Sequence, residues 1–323
     1  MEQSLPRLDP ELETGLDAIP DEFLLRNIVD FDNMPATRER LDDLLRAMME
    51  DAPDRPSVTS DDRLVSTPAA DVSVRVYRPV EIDGPLPCIY WIHGGGMVMG
   101  GLDQDDPTCE MLVDELGCVV VSVDYRLAPE HPYPAPVDDC YAGLQWVAAS
   151  GTEIGVDTGR IAIGGQSAGG GLSAATALRA RDEDGPDLCH QMLIYPMLDD
   201  RNETTSSQQV TDIGIWDRDM NLRAWDAYLG EHAETGTPPV YAAPARATDL
   251  VGLPPAFVDI GTHDAFRDET ISYVQLLMAS GVPTEFHVWP GAFHAYDTFL
   301  PDTVISERTW ATRLNALERA FTT

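Results

Sequence analysis

The chain has 323 residues, 43% of them apolar, enough for a large buried core in one α/β domain with insertions or in two domains. Its formal net charge is −34, and all 21 basic residues are arginine; such a surface opposes nucleic acid and anionic membranes as partners. No apolar run approaches the length of a bilayer span, and the longest, such as Val119-Val120-Val121, read as buried strands.

The opening Met1-Glu2-Gln3-Ser4 is neither basic nor apolar, so no signal peptide is expected and the expected location is the cytoplasm. Cys88, Cys109, Cys118, Cys140 and Cys189 are scattered and form no Cys-x-x-Cys. They are expected as free thiols, with no metal site. The acidic, lysine-free composition has two readings: adaptation to salt, or compositional drift toward arginine. Salt screens self-repulsion between surface charges. A melting midpoint that rises with NaCl is the expected result of the first reading, and a flat midpoint belongs to the second.

In chain order, residues 1–60 are acidic and carry two helical patterns. One holds Phe23, Leu24, Ile28 and Val29; the other has Leu41, Leu44, Leu45 and Met48 on one stripe. Asp51 to Ser60, rich in Pro and Asp, reads as a linker. Val72, Val74 and Val76 alternate with polar residues as a half-buried strand. Cys88–Ile92 and Cys118–Val123 are continuous apolar strands, with helices over Cys109–Leu116 and Val137–Ala149. A strand at Ile161, a helix over Gly170–Ala180 and a strand over Gln191–Tyr195 follow. Near-continuous apolar strands alternating with helices mean a mostly parallel sheet covered on both faces.

Asp199 to Pro239 interrupts that rhythm, with Ile215, Trp216, Trp225 and Tyr228 in a helical pattern, and reads as an insertion forming a lid with the N-terminal helices. The α/β pattern resumes with a strand over Ala256–Ile260, a helix over Asp268–Ala279, a strand over Thr284–Trp289 and a closing helix over Thr303–Ala320. The expected division is a helical cap segment at 1–60, core at 61–198, cap insertion at 199–239 and core again at 240–323.

The chemistry centres on Gly165-Gln166-Ser167-Ala168-Gly169, a strand, sharp turn and helix with a serine at the apex. Small residues let such a turn close while its hydroxyl is pushed out at the sheet edge. His93-Gly94-Gly95-Gly96 directly follows the Cys88 strand. A glycine run is costly in backbone entropy and makes sense where bare N–H groups face a ligand. Gly95, Gly96 and Ala168 could together hold an oxyanion. His93 itself reads as a structural hydrogen-bonder.

Of seven histidines, His190 and His287 sit in or beside strands and His232 lies in the insertion. His294, in Gly291-Ala292-Phe293-His294, follows the last predicted strand, where this class of sheet binds ligands. It is the expected base. Asp264 follows the Ala256–Ile260 strand at the same edge and is the expected carboxylate. Asp268 and Glu269 instead suit the first turn of the next helix, and Asp259 lies within its strand. Gly169-Gly170-Gly171-Leu172-Ser173-Ala174 fits a dinucleotide pattern, but it begins inside the serine turn and small-residue packing explains it; no cofactor is expected.

These stretches make the chain resemble the hormone-sensitive-lipase-like group of bacterial esterases within the α/β-hydrolase fold. The matching residues are His93–Gly96, Asp124-Tyr125-Arg126-Leu127-Ala128-Pro129-Glu130-His131-Pro132, Gly165–Gly170, Tyr195-Pro196-Met197-Leu198-Asp199-Asp200, Asp264–Glu269 and His294. The resemblance implies an eight-stranded sheet, a lid from the N-terminal helices and the segment after Pro196, and a homodimer through the last strand or helix as one option. The order Ser167, Asp264, His294 is that of α/β-hydrolases.

Three positions depart from the group. Gln166 stands where Asp or Thr is usual. Asp264-Ala265-Phe266 replaces Asp-Pro-Leu. Met97 takes the place of a common aromatic, and with Met99 it either lines a deformable acyl pocket or packs in the core. Gln166 and Met97 are the expected substrate-binding positions. The expected function is hydrolysis of short acyl esters through Ser167. A long-chain lipase, an amidase, or a non-catalytic receptor on the same fold are the alternatives.

Overall fold

The computed structural model describes residues 5, 7–49, 55–81 and 84–322. Eight strands form one sheet in the order β1-β2-β4-β3-β5-β6-β7-β8. They are β1 Val58–Ser66, β2 Asp71–Pro79, β3 Leu86–Ile92, β4 Val119–Asp124, β5 Val156–Gln166, β6 His190–Ile194, β7 Ala256–His263 and β8 Thr284–Phe293. Only β2 runs against its neighbours; from β4 to β8 every pairing is parallel.

The helices are α1 Pro10–Ala18, α2 Leu25–Ile28, α3 Met34–Met49, α4 Asp106–Leu116, α5 Ala135–Ile154, α6 Ala168–Asp182, α7 Thr205–Gln209, α8 Arg218–Leu229, α9 Arg267–Ala279, α10 Tyr296–Phe299 and α11 Val304–Thr322. One face of the sheet carries α4 and α11, packed together, and the other carries α5 and α6. The central strands are therefore buried on both sides, which is why β3 and β4 read as unbroken apolar runs.

The expected core elements are present, and the differences lie at the edges. The pattern over Phe23–Val29 is a 3₁₀ turn at Asp21–Phe23 followed by the single turn of α2. A further helix, α1, precedes it. Few of its side chains are apolar, and only Leu12 is buried, so its periodicity is faint. Asp9 caps it by accepting from the Glu11 amide, and its own amide donates to the Gly291 carbonyl at the end of β8.

The expected linker at Asp51–Ser60 lies outside the described residues at 51–54, and from Val58 onward it is the edge strand β1. Nearly all of β1 is exposed, so it lacks a buried face and shows no alternation. Its acids are instead held from β2, where Arg75 donates to Asp62 at 2.6 Å and Arg78 pairs with Asp61. In the insertion, Trp225 and Tyr228 lie on α8, but Ile215 and Trp216 precede it in irregular chain. The expected free thiols hold, with four of the five cysteines buried.

Candidate active site

Parallel strands bring their C-terminal ends to one edge, and the residue following each strand meets its neighbours there. Within β7 and β8 the last paired residues are His263 and Phe293, so the next two, Asp264 and His294, stand side by side. Between β3 and β5, Ile92 pairs with Gly165, which sets the glycine loop beside Gln166 and Ser167.

The turn at Ser167 is as tight as its small residues imply. A Cβ on Gly165 or on Gly169 would collide with the Ile92 carbonyl oxygen. Ser167 has φ +58° and ψ −120°, a conformation that a side-chain-bearing residue holds only when its surroundings over-determine it. Its amide donates to the Ile194 carbonyl at 2.9 Å, and its carbonyl accepts from the Gly171 and Met197 amides, each at 3.0 Å.

His294 Nε2 lies 2.9 Å from Ser167 Oγ, and His294 Nδ1 lies 2.7 Å from Asp264 Oδ2. The other carboxylate oxygen of Asp264 accepts from the Phe266 amide at 2.9 Å, which fixes the carboxylate plane. Asp264 is wholly buried and His294 nearly so. The imidazole packs edge-on against Tyr195 and Phe266, with ring centroids 4.9 and 5.0 Å away. Ser167, Asp264 and His294 thus meet as the sequence anticipates. Asp259 is occupied elsewhere, accepting from Arg313 Nε at 2.8 Å, and Glu269 accepts the Leu198 and Asp199 amides.

The glycine loop is held open by its own neighbours. Gly95 adopts φ +109°, where the Met99 carbonyl leaves no room for a side chain. Among the described residues, the amides of Gly95, Gly96 and Ala168 donate to no protein acceptor. Ala168 opens the 15-residue helix α6, so its amide also sits at the positive end of the helix dipole. His93 is structural: wholly buried, it stacks on Tyr125 at 4.1 Å, and Nδ1 makes a 2.8 Å hydrogen bond with the Gly94 carbonyl. Burial pushes its pKa down to about 4, which keeps the ring neutral. The Asp124–Pro132 motif has a physical reason here. The Tyr125 hydroxyl donates to the His93 carbonyl, and Asp139 accepts the Arg126 side chain at 2.8 Å from two nitrogens.

A cavity of about 120 Å³ opens on Ser167 and His294. Its walls include Gly94, Gly95 and Gly96, with Leu25 of α2, Leu41 and Leu45 of α3, and Ile215 and Trp216 of the 199–239 segment. Gln166 lines it. Met97 does not: at φ +61° its side chain turns into the core, and Met99 takes the place on the wall. Trp216 lies against Gly96, so closely that a Cβ there would strike the indole. Among the described residues no cluster of His, Cys, Asp or Glu is placed to hold a metal ion, and no helix is long and apolar enough to cross a membrane.

Trp216, read in the sequence as part of a helical lid pattern, reaches the cavity wall from irregular chain instead, and two participants escaped sequence reasoning. Arg38 of α3 reaches the glycine loop: its Nε donates to the Val98 carbonyl at 2.9 Å, and its two terminal nitrogens donate to the Ala128 carbonyl at 2.8 Å and to both oxygens of Glu130. Asp105 was hidden among the acids of Asp103-Gln104-Asp105-Asp106, where nothing in the spacing sets one carboxylate apart. It is 1% exposed on the cavity wall, where Trp91 Nε1 donates to it at 2.5 Å and Gln166 Nε2 at 3.3 Å. Tyr195 in turn donates to Gln166 Oε1 at 3.0 Å.

Burial raises the Asp105 pKa to about 6, against which the hydrogen bonds from Trp91, Gln104 and Gln166 work. A carboxyl raised on folding contributes stability that is fully present below its unfolded pKa and is lost as pH rises through the folded value. Relative to Asp105→Asn, the wild type should therefore lose roughly 3 kcal/mol of stability between about pH 3.5 and pH 8. Denaturant midpoints of both proteins across that range measure it, and a pH-independent difference would contradict it.

Residues 89–298 match a family described as alpha/beta hydrolase fold. The chain belongs to this α/β-hydrolase family. Among curated relatives, esterase LipI of Mycobacterium tuberculosis is 39% identical over 293 residues, covering 90% of this chain and 88% of that protein. Carboxylesterase NlhH of the same organism is 38% identical over 319 residues, covering 98% and 97%. A solved structure titled bacterial heroin esterase superposes with a TM-score of 0.91 at 41% identity, covering 98% of this chain and 99% of that one. The resemblance read from the motifs thus holds across nearly the whole chain of this α/β-hydrolase.

Proposed function

We propose that the chain is a serine carboxylesterase acting on short acyl esters, with Ser167 as nucleophile, His294 as base and then acid, and Asp264 as orienting carboxylate. The observation that carries this reading is the unbroken hydrogen-bonded line from Ser167 Oγ through His294 to Asp264. The three unpartnered amides stand next to it. Ser167 Oγ attacks the ester carbonyl as its proton passes to His294 Nε2, and Asp264 stabilises the resulting imidazolium. The carbonyl oxygen becomes an oxyanion held by Gly95, Gly96 and Ala168. His294 then returns the proton to the departing alcohol. Water, activated by the same imidazole, attacks the acyl-serine, and the proton goes back to Ser167 as the acid leaves.

The cap is part of the same proposal: the described residues of 1–60, with 199–239, close the cavity, as the wall positions of Leu25, Leu41, Leu45, Ile215 and Trp216 suggest, though β1 already begins at Val58. Arg38 then fixes the cap to the glycine loop. Gln166, held between Asp105 and Tyr195, acts through the serine turn and the cavity wall. The acidic surface opposes adsorption to anionic lipid, which favours dissolved esters over a lipid interface.

A p-nitrophenyl ester series from acetyl to dodecanoyl tests the reading. The expected profile peaks at short chains, which a cavity of about 120 Å³ favours. A peak at dodecanoyl would make the protein a long-chain lipase, and turnover of amides alone would make it an amidase.

A further inference from the structure

Outside the cavity at Ser167 lies a second, larger concavity of about 1000 Å³, between the N-terminal helices and α10. Its floor and walls are apolar: Ala18, Ile19, Phe23, Ile28, Leu44 and Leu300. Charged side chains, Glu22, Arg40 and Asp43, stand among them. The two spaces share one side chain, Phe299, the last residue of α10. They are adjacent elsewhere too. On α2, Leu25 faces the inner cavity and Ile28, one turn on, faces the outer groove; on α3 the neighbours Leu45 and Leu44 divide in the same way. Phe299 is half-buried and three residues past the Tyr296 turn that follows His294, so the partition hangs from the same loop as the imidazole.

We propose that the outer groove is a second subsite, taking the apolar limb of an ester too long for the inner cavity, and that Phe299 sets the length of limb admitted. The occupant follows from the continuity and lining of the spaces: an apolar chain anchored at Ser167 and passing Phe299 enters this apolar groove, whereas the space that meets the inner cavity at Leu45 and Gln104 is lined by Asp42, Arg46, Asp62, Arg75 and Asp103 and suits no apolar limb. Each methylene that leaves water for such a groove is worth about fourfold in binding. With Phe299 in the passage only part of a long limb reaches the groove, so long esters gain less there than they would past a smaller side chain. This rests on the esterase reading, and the test separates the two.

kcat/KM for p-nitrophenyl acetate and decanoate should be compared in the wild type, Phe299→Ala, Phe299→Leu, and Phe299→Ala combined with Ile19→Asp. The decanoate-to-acetate ratio is expected to rise at least tenfold in Phe299→Ala and by less in Phe299→Leu. A carboxylate placed in the groove by Ile19→Asp should pull the ratio back toward the wild-type value. If Phe299→Ala turns over acetate with an unchanged ratio, Phe299 is not the partition. If the ratio rises but Ile19→Asp leaves it high, the chain does not lie in the groove. Should Phe299→Ala fail to fold, Phe299→Leu carries the same comparison, and an unchanged ratio there overturns the proposal. Failure of the esterase reading itself would appear separately, as no Ser167-dependent turnover of acetate by the wild type.

Discussion

Ser167→Ala should lower kcat on p-nitrophenyl acetate by on the order of 10^6, with KM nearly unchanged. The alanine keeps the Cβ at a position whose backbone, at φ +58°, is held by three hydrogen bonds through the Ser167 amide and carbonyl. The turn and the melting temperature should therefore survive. What disappears is the oxygen 2.9 Å from His294 Nε2, the atom that forms the covalent bond. The residual rate should still exceed that in water, because the Gly95, Gly96 and Ala168 amides remain to stabilise an oxyanion formed by direct attack of water. A variant retaining near-full activity would remove Ser167 from the mechanism.

The second large effect is expected from Asp264→Asn, about 10^4 in kcat. The reason lies in the orientation of the side chain. Oδ1 of Asp264 accepts from the Phe266 amide at 2.9 Å, and an asparagine keeps that bond only by placing its own oxygen there. Its NH₂ group then faces His294 Nδ1, which must become the acceptor. The ring proton moves to Nε2, toward Ser167 Oγ, and the imidazole can no longer take the serine proton. Activity should fall while the fold is kept. A loss below tenfold would mean that another carboxylate orients His294. Asp259 is a poor substitute because it is wholly buried and bound to Arg313.

The parts of this arrangement that were legible in the sequence are those enforced by backbone sterics or by strand burial. Gly165 and Gly169 announce the serine turn because any side chain there meets the Ile92 carbonyl. The unbroken apolar strands announce a parallel sheet, and a parallel sheet puts the residues after β3, β5, β7 and β8 at one edge. That logic leads to Gly95, Ser167, Asp264 and His294 without a structure. Elements that owe their form to a partner stayed hidden. Strand β1 exists because β2 pairs with it and its arginines hold Asp61 and Asp62. Helix α1, with one buried side chain, is fixed by its cap and by the end of β8. Met97 could be read either as pocket wall or as core; it packs in the core, with a side-chain direction that goes with a positive φ that sequence pattern does not encode. The line from Trp91 through Asp105 and Gln166 to Tyr195 joins four separate stretches of chain, and no spacing in the sequence connects them.

The central claim is that Ser167 is an activated nucleophile, and covalent labelling with a fluorophosphonate tests it most directly. The phosphorus mimics an ester carbonyl, and its adduct places an oxygen where the oxyanion would stand. One label per chain is expected, mapped by mass spectrometry to the peptide containing Ser167, abolished by Ser167→Ala and strongly slowed by Asp264→Asn. A folded protein that takes no label, or takes it on a different residue, would contradict the account.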